Sequence, residues 1–253
     1  MTELAKTRPA AGTRSPMITP APARPAMAGR ETAAAAGAQL VLLGTLWAAA
    51  GLGPAAWAAG VLHTFALWAI LTRALRRAGL GTLGPADRVT LARAVLAGGV
   101  TALVVERAES GVPLLALTAL AAMALLLDGV DGKVARRTGT CSPFGARFDM
   151  EVDAFLILAL SVHVAASTGP WVLAIGMMRY AFVAAAWALP WLGGALPPRL
   201  ARKVVAALQG VVLVVAGTLP YVPAALACAA ALAALVWSFG RDVAWLRRHG
   251  RAG

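Results

Sequence analysis

The chain has 253 residues, of which 60% are hydrophobic and only 13% charged, with a mean hydropathy of +0.74. This composition excludes an ordinary soluble domain and is typical of a polytopic helical membrane protein. The formal net charge of +12 could indicate a nucleic-acid partner. However, Lys and Arg cluster at the ends of apolar segments, as they do in the cytoplasmic loops of membrane proteins, so we expect no nucleic-acid binding.

The first 35 residues differ in composition from the rest of the chain. They are rich in Pro, Ala and Thr, carry several basic residues and lack an apolar run, which predicts a disordered basic tail over 1–35. Two apolar segments follow, separated by the turn signal Gly-Leu-Gly-Pro at 51–54, and arginines close the second segment. We therefore expect a transmembrane hairpin over 36–77.

Six more apolar segments follow the hairpin, each close to the length of a membrane span. They lie at about 85–105, 112–127, 148–166, 171–191, 203–219 and 221–239. With both termini in the cytoplasm, all of the 23 Lys and Arg residues except Arg107 and Arg179 fall in cytoplasmic segments, as the positive-inside rule expects. The predicted fold is an all-α integral membrane protein of eight spans that ends in a basic cytoplasmic tail over 242–253.

Acidic residues are concentrated in 128–153, at the junction of the fourth and fifth predicted spans, which holds five of the eleven in the chain. On helices, residues three or four apart share a face, which gives one stripe of Asp128, Asp131, Gly132 and Ala135 and a second of Gly145, Asp149 and Asp153. Glu151 points to another face and is interpreted as a solvated surface residue. A short link makes the two helices antiparallel, so the stripes can face each other and bring four carboxylates into one pocket.

Four carboxylates this close disfavour each other's ionisation, and a divalent cation resolves that conflict. Oxygen ligands favour a hard ion, which predicts Mg²⁺ or Mn²⁺ as the cofactor. The guanidinium of Arg136 presents a planar fork suited to phosphate. Metal, arginine and small residues together indicate a diphosphate bridged by cations, and hence phosphoryl or phosphatidyl transfer.

The spacing of these residues resembles the signature of the CDP-alcohol phosphatidyltransferase family. The matching residues are Asp128-x-x-Asp131-Gly132-x-x-Ala135-Arg136 and, after eight residues, Gly145-x-x-x-Asp149-x-x-x-Asp153. The resemblance implies a core of six helices, here over 83–241. It also implies a phosphotransferase for substituted phosphate groups that moves a phosphatidyl group from CDP-diacylglycerol to an alcohol acceptor and releases CMP, in phospholipid biosynthesis. Family members are commonly homodimers, and we expect the plasma membrane of a bacterium with the active site facing the cytoplasm.

The resemblance also implies roles for single residues. Asp128, Asp131 and Asp149 match the positions that hold the metal ions, a set that Asp153 completes, and Asp153 matches the proposed general base, which takes the proton of the attacking hydroxyl. The positions that line the CDP group are matched by Gly132, Ala135, Arg136 and Gly145, with Asp128 shared between the nucleotide and the metal.

A second, partial similarity precedes the motif. Asp87-x-x-Thr90-x-x-Arg93 resembles the Asn-x-x-Thr-x-x-Arg start of the family's first core helix, with Asp87 where the family has Asn. Thr90 and Arg93 are accordingly predicted to contribute to the CDP pocket. The alternative is an ordinary first helix turn that ends in a snorkelling arginine.

The acceptor alcohol is the least determined part of the reaction. Arg179, Arg202 and Lys203 favour a phosphorylated acceptor, although a carboxylate-paired or snorkelling Arg179 and a purely topological role for the other two explain them equally well. Two further functions stay open: a transporter or other ion-binding membrane protein that uses the aspartates for its ion, and an inactive member of the family.

Overall fold

The computed structural model describes residues 25–111, 114–139, 142–194, 196–197 and 199–249, without the side chains of 25–28, Asp131, Ala135, Arg136 and His249. The described part contains eight α-helices and two short 3-10 turns, at Pro170–Val172 and Pro190–Gly193. The α-helices are α1 (Pro25–Ala50), α2 (Pro54–Ala78), α3 (Pro85–Ser110), α4 (Leu114–Thr138), α5 (Pro143–Thr168), α6 (Leu173–Ala188), α7 (Leu200–Ala216) and α8 (Tyr221–His249). The prediction of an all-α integral membrane protein is confirmed.

Seven of the helices described are long and apolar enough to cross a membrane, rather than the eight predicted. The exception is α7, which has 17 residues and is therefore about 25 Å long, shorter than the hydrocarbon core of a bilayer. The helix has the length predicted for the span at about 203–219 but begins and ends three residues earlier, because Gly217 and Thr218 already form the turn that precedes Pro220.

Helix α3 lies at the centre of the bundle. In its most apolar stretch 72% of the residues are buried, against 11–39% in the other candidate spans. Small residues and aliphatic residues alternate around all of its faces, and a helix that is apolar all round is buried on all sides. It packs against α1, α2, α4 and α5, so the helix that carries Thr90 and Arg93 is held by neighbours on every side.

The N-terminal hairpin begins earlier than the sequence predicted. Helix α1 starts at Pro25, so residues 25–35, predicted as part of the disordered tail, are helical instead. A run of alanines explains the difference, since Ala is the strongest helix former, and Glu31 ties this turn to the core by accepting hydrogen bonds from the backbone N of Leu83 and from Arg88. Residues 1–24 lie outside the described residues, and their disorder stays a prediction.

The last helix extends beyond the predicted core boundary. Helix α8 continues to His249, so most of the segment predicted as a basic tail over 242–253 belongs to it. Two residues of this extension are buried and explain why the helix continues: Leu246, which packs against Gly194, and Asp242, which pairs with Arg202. Residues 250–253 lie outside the described part.

One buried amide in the hairpin yields a prediction about stability. Gln39 is 1% exposed, and neither of its amide atoms has a hydrogen-bond partner in the part of the chain that the structure describes. A buried polar group without a partner costs about 1–3 kcal/mol, so Gln39→Met should raise the free energy of unfolding by about 1 kcal/mol.

Thermal unfolding of purified variants in detergent measures this. Gln209→Met is the matched control, because the Gln209 amide is equally buried but donates to Val205 O and Ala231 O at 3.2 and 3.1 Å. The control should unfold at a lower temperature than the parent protein. A decrease for Gln39→Met as well would contradict the prediction.

Candidate functional site

The predicted acidic residues lie at one end of the bundle, where three helices meet. Asp128 lies in the second half of α4, while Asp149 and Asp153 lie on the first three turns of α5. Helix α5 begins here because Pro143 occupies its first turn and Ser142 Oγ accepts a hydrogen bond from Gly145 N at 2.9 Å. The short link from α4 to α5 therefore places both halves of the motif at the same height.

The structure brings three of the four motif aspartates together. One carboxylate oxygen from each of Asp128, Asp149 and Asp153 lies within 4.8 Å of the other two. Their side chains are 37–38% exposed, which leaves them accessible from the end of the bundle. The backbone of Asp131 lies on α4, but its side chain lies outside the described residues, so its predicted metal contact stays a prediction.

Arg93 of α3 reaches into the middle of this cluster. Its guanidinium is 1% exposed and pairs with Asp128 at 3.0 Å, with Asp149 and with Asp153. Its Nε donates to the backbone O of Ala124 at 3.2 Å, which fixes the plane of the guanidinium against α4. One buried cation thus connects carboxylates from two helices.

The position of α3 changes the expected arrangement of the motif helices. The sequence predicted that the stripes on α4 and α5 would face each other directly. Instead α3 packs extensively against both, whereas α4 and α5 make little direct contact within the described residues. The carboxylates still converge, but they do so around a side chain from a third helix.

Asp87 forms a second junction between α3 and α5. It is buried and its Oδ2 accepts a hydrogen bond from Gly84 N at 3.0 Å, which caps the first turn of α3. Its other oxygen lies directly over Gly145, where a Cβ would collide with it. Gly145 therefore lacks a side chain because the first turns of α3 and α5 approach closely here, while its predicted contact with CDP stays a prediction.

This close approach gives a testable result. Gly145→Ala should push Asp87 and the first turn of α5 apart, and so reduce the CMP release expected from the sequence by about tenfold, since a small displacement of a site costs much of its activity. Gly129→Ala, one residue after Asp128, is the matched control because a Cβ there meets nothing within 4 Å. Equal rates for the two variants in a CMP-release assay would contradict the prediction.

The remaining residues predicted for the CDP site are placed as follows. Thr90 is buried and donates its hydroxyl to Ala86 O, and Gly132 lies half-buried on α4. The side chains of Ala135 and Arg136 lie outside the described residues. None of these positions is tested for nucleotide binding, and all stay predictions.

The residues predicted for the acceptor make contacts with the protein itself. Arg179 pairs with Glu151 and contacts Met150 Sδ at 2.8 Å, which is the carboxylate-paired alternative considered from the sequence. Glu151 is exposed as expected, but it is also an ion-pair partner. Arg202 lies 3.4 Å from Asp242 and donates to Pro197 O, and Lys203 is exposed. A role in acceptor binding stays a prediction for all three basic residues.

The donor set fits a hard divalent cation. Carboxylate oxygens are the ligands that Mg²⁺ and Mn²⁺ prefer, and three of them from separate residues converge here. Asp128, Asp149 and Asp153 could therefore hold a metal ion. The sequence assigned Arg93 to the nucleotide and gave no indication of its contacts with the acids, although a single arginine within an apolar span usually has a carboxylate partner.

The fold and this cluster together define an all-α integral membrane protein with a candidate divalent-metal site at one end of the bundle. The sequence profile of CDP-alcohol phosphatidyltransferases matches residues 83–239, which is more than half of the chain, and the chain belongs to this family. The match includes the whole acidic motif and all of α3, but not the N-terminal hairpin. Comparisons with curated proteins and with solved structures give no match.

Proposed function

We propose that the protein transfers a phosphatidyl group from CDP-diacylglycerol to an alcohol acceptor and releases CMP, as a step of phospholipid biosynthesis. The observation that carries the proposal is the convergence of Asp128, Asp149 and Asp153, whose oxygens lie within 4.8 Å of one another around Arg93. Family membership supports the transferase class, the CDP-linked donor and the alcohol acceptor.

The acids are proposed to divide two tasks. Asp128, Asp131 and Asp149, with Asp153, would hold Mg²⁺ or Mn²⁺, and the bound cations would neutralise the diphosphate of the donor. Arg93 keeps the carboxylates of α4 and α5 in fixed relative orientation through its pairs with Asp128, Asp149 and Asp153. Thr90, Gly132, Ala135, Arg136 and Gly145 complete the proposed nucleotide pocket.

Asp153 is proposed as the general base. Its carboxylate accepts the proton of the acceptor hydroxyl as the hydroxyl oxygen attacks the phosphorus that bears the diacylglycerol. A bond forms between the acceptor oxygen and that phosphorus, and the bond from the phosphorus to the CMP oxygen breaks. CMP departs with the electron pair, so charge and atoms balance. Asp153 lies in the first half of α5, a helix long and apolar enough to cross a membrane, so a lipid-bound donor would reach it without leaving the bilayer.

The proposed orientation in the membrane rests on the basic residues. Arg76 and Arg77 at the end of α2, and Arg247 and Arg248 near the end of α8, lie at helix ends that the alternating topology puts beside the acidic cluster. Lys and Arg mark the cytoplasmic side of a membrane protein, so we propose a cytoplasmic active site in a bacterial plasma membrane. We also propose the core domain over 83–241 and a homodimer, the latter from family membership.

The acceptor is proposed to be phosphorylated. Arg179, Arg202 and Lys203 supply positive charge on α6 and α7, although the two arginines already contact carboxylates. Screening glycerol phosphate, inositol phosphate, serine and a lipid alcohol with CDP-diacylglycerol labelled in its lipid identifies the product directly.

The reaction itself is tested with purified full-length protein in lipid vesicles. CDP-diacylglycerol labelled in the cytidine should give CMP only when both an acceptor and Mg²⁺ or Mn²⁺ are present. Ion flux across the vesicle membrane without CMP release would favour a transporter instead. Absence of both activities would indicate an inactive family member.

A further inference from the structure

We propose that the N-terminal hairpin is a clamp that fixes α3 and thereby positions Arg93 among the carboxylates, with His63 as the central positioning residue. The hairpin, α1 and α2, precedes the region that matches the family, yet it covers the face of α3 that α4 and α5 leave open. The proposal rests on the proposed function, because it assigns the hairpin a role in the same site.

The clamp holds α3 at its site end through Glu31. This carboxylate accepts hydrogen bonds from the backbone N of Leu83 at 2.8 Å and from Nε of Arg88 at 2.9 Å. Leu83 and Arg88 flank the first turn of α3, which carries Asp87. The contact therefore fixes where α3 begins relative to α1.

The second contact lies beside Arg93 itself. Nε2 of His63 donates to the backbone O of Ala94 at 2.9 Å, one residue after Arg93. The same imidazole ring packs against Phe155 of α5, with ring centroids 4.8 Å apart. His63 thus connects the hairpin to the backbone that carries Arg93 and to the helix that carries Asp149 and Asp153.

Gly98 leaves the space that the contact between His63 and α3 requires. A Cβ at Gly98 would lie 2.5 Å from Cδ2 of His63 and 2.6 Å from Oε1 of Gln39, so only glycine lets both side chains lie against α3 here. Gly99 accommodates Leu42 of α1 in the same way. Two adjacent glycines therefore set the distance between the hairpin and α3.

A third contact holds the opposite end of α3. The buried carboxylate of Glu106 accepts a hydrogen bond from the backbone N of Gly53, in the turn between α1 and α2, and another from Ser110. With contacts at both ends and in the middle, α3 cannot slide or rotate against the hairpin without breaking hydrogen bonds that are partly buried. Breaking these hydrogen bonds costs free energy, so the position of Arg93 along the axis of the bundle is fixed.

The test is a double-mutant cycle on Mn²⁺ affinity, measured by electron paramagnetic resonance on the purified full-length protein. Arg93→Gln removes a positive charge beside the carboxylates and should tighten Mn²⁺ binding by about tenfold. His63→Ala removes the bond that holds the backbone beside Arg93. The arginine can then move away from the carboxylates, which should tighten Mn²⁺ binding about threefold while lowering kcat for CMP release. The double variant should bind no tighter than Arg93→Gln, since His63 acts through Arg93.

The direction of the change separates positioning from a general structural defect. A merely loosened bundle would bind Mn²⁺ more weakly after His63→Ala, and that result would overturn the proposal, as would additive effects in the double variant. His63→Gln should restore wild-type affinity in part, because its amide can still donate to Ala94 O.

A second pair of variants keeps the test usable if His63→Ala does not fold. Gly98→Ala should reproduce its effects, whereas Gly44→Ala, the same change in α1 where a Cβ meets nothing within 4 Å, should not. Equal Mn²⁺ affinities for these two variants would overturn the proposal. Wild-type protein that binds Mn²⁺ without releasing CMP would instead contradict the proposed function, and the cycle would still decide the role of the hairpin.

Discussion

Asp153→Asn should reduce CMP release by about a thousandfold, because general-base catalysis contributes roughly 10²–10⁴ and an amide cannot accept the proton. The substitution keeps the size of the side chain and one oxygen beside Arg93, so the cluster should stay assembled. The measurement is kcat at saturating CDP-diacylglycerol and acceptor, with the Mn²⁺ affinity determined in parallel.

The expected split between the two measurements identifies the role of Asp153. A large loss in kcat with at most a tenfold change in Mn²⁺ affinity indicates a base. A weaker Mn²⁺ affinity, with a kcat that recovers at higher Mn²⁺ concentration, indicates a metal ligand alone. Glu109→Gln is the control, since it makes the same chemical change at an exposed residue near the other end of α3. An unchanged kcat for Asp153→Asn would remove this residue from the proton transfer.

The acidic motif shows why part of the site could be predicted from the sequence. Residues at i, i+4 and i+8 must share one face of a helix, so the juxtaposition of Gly145, Asp149 and Asp153 follows from helical geometry alone. The same rule applies to α4, where the carboxylate of Asp128 converges with those of Asp149 and Asp153 as expected. This periodicity depends only on the helix itself, so the prediction holds whichever helices pack around it.

The contribution of α3 could not be predicted in the same way. Which helix lies between α4 and α5 depends on packing between segments far apart in the chain. Apolar spans of similar length and composition do not indicate in their sequence which other spans they pack against. From the sequence, Arg93 was predicted only to contribute to the CDP pocket, with a snorkelling arginine as the alternative. Its three carboxylate partners became apparent only with the tertiary structure.

The hairpin shows the same limit. The turn at 51–54 predicted two packed helices, and α1 and α2 do form a hairpin. However, the contacts of Glu31 and His63 with α3 join residues more than thirty positions apart, and no short-range pattern reveals them. The alanine-rich start of α1 was predicted to be disordered because it lacks large apolar residues, although helix propensity and the partly buried carboxylate of Glu31 suffice to order it.

Arg93→Gln should have the second large effect, on both stability and activity. Removing one partner of a buried ion pair costs about 3–5 kcal/mol, and because the carboxylates here are partly exposed we expect the lower end, about 3 kcal/mol. CMP release should fall at least a hundredfold, since Asp149 and Asp153 lose the group that orients them. Thermal unfolding and the CMP-release assay measure the two effects.

Addition of Mg²⁺ provides the decisive comparison for Arg93. A divalent cation can replace the missing charge among the three carboxylates, so saturating Mg²⁺ should raise the unfolding temperature of Arg93→Gln more than that of the wild type, without restoring activity. The unfolding temperature and activity of Arg93→Lys should lie between those of Arg93→Gln and the wild type, because an ammonium keeps the charge but not the planar fork that contacts Asp149 and Asp153 together. Arg247→Gln, at an exposed arginine of α8, should match the wild type in all of these measurements. If Mg²⁺ stabilised Arg93→Gln and the wild type equally, the carboxylates that pair with Arg93 would not be the metal ligands.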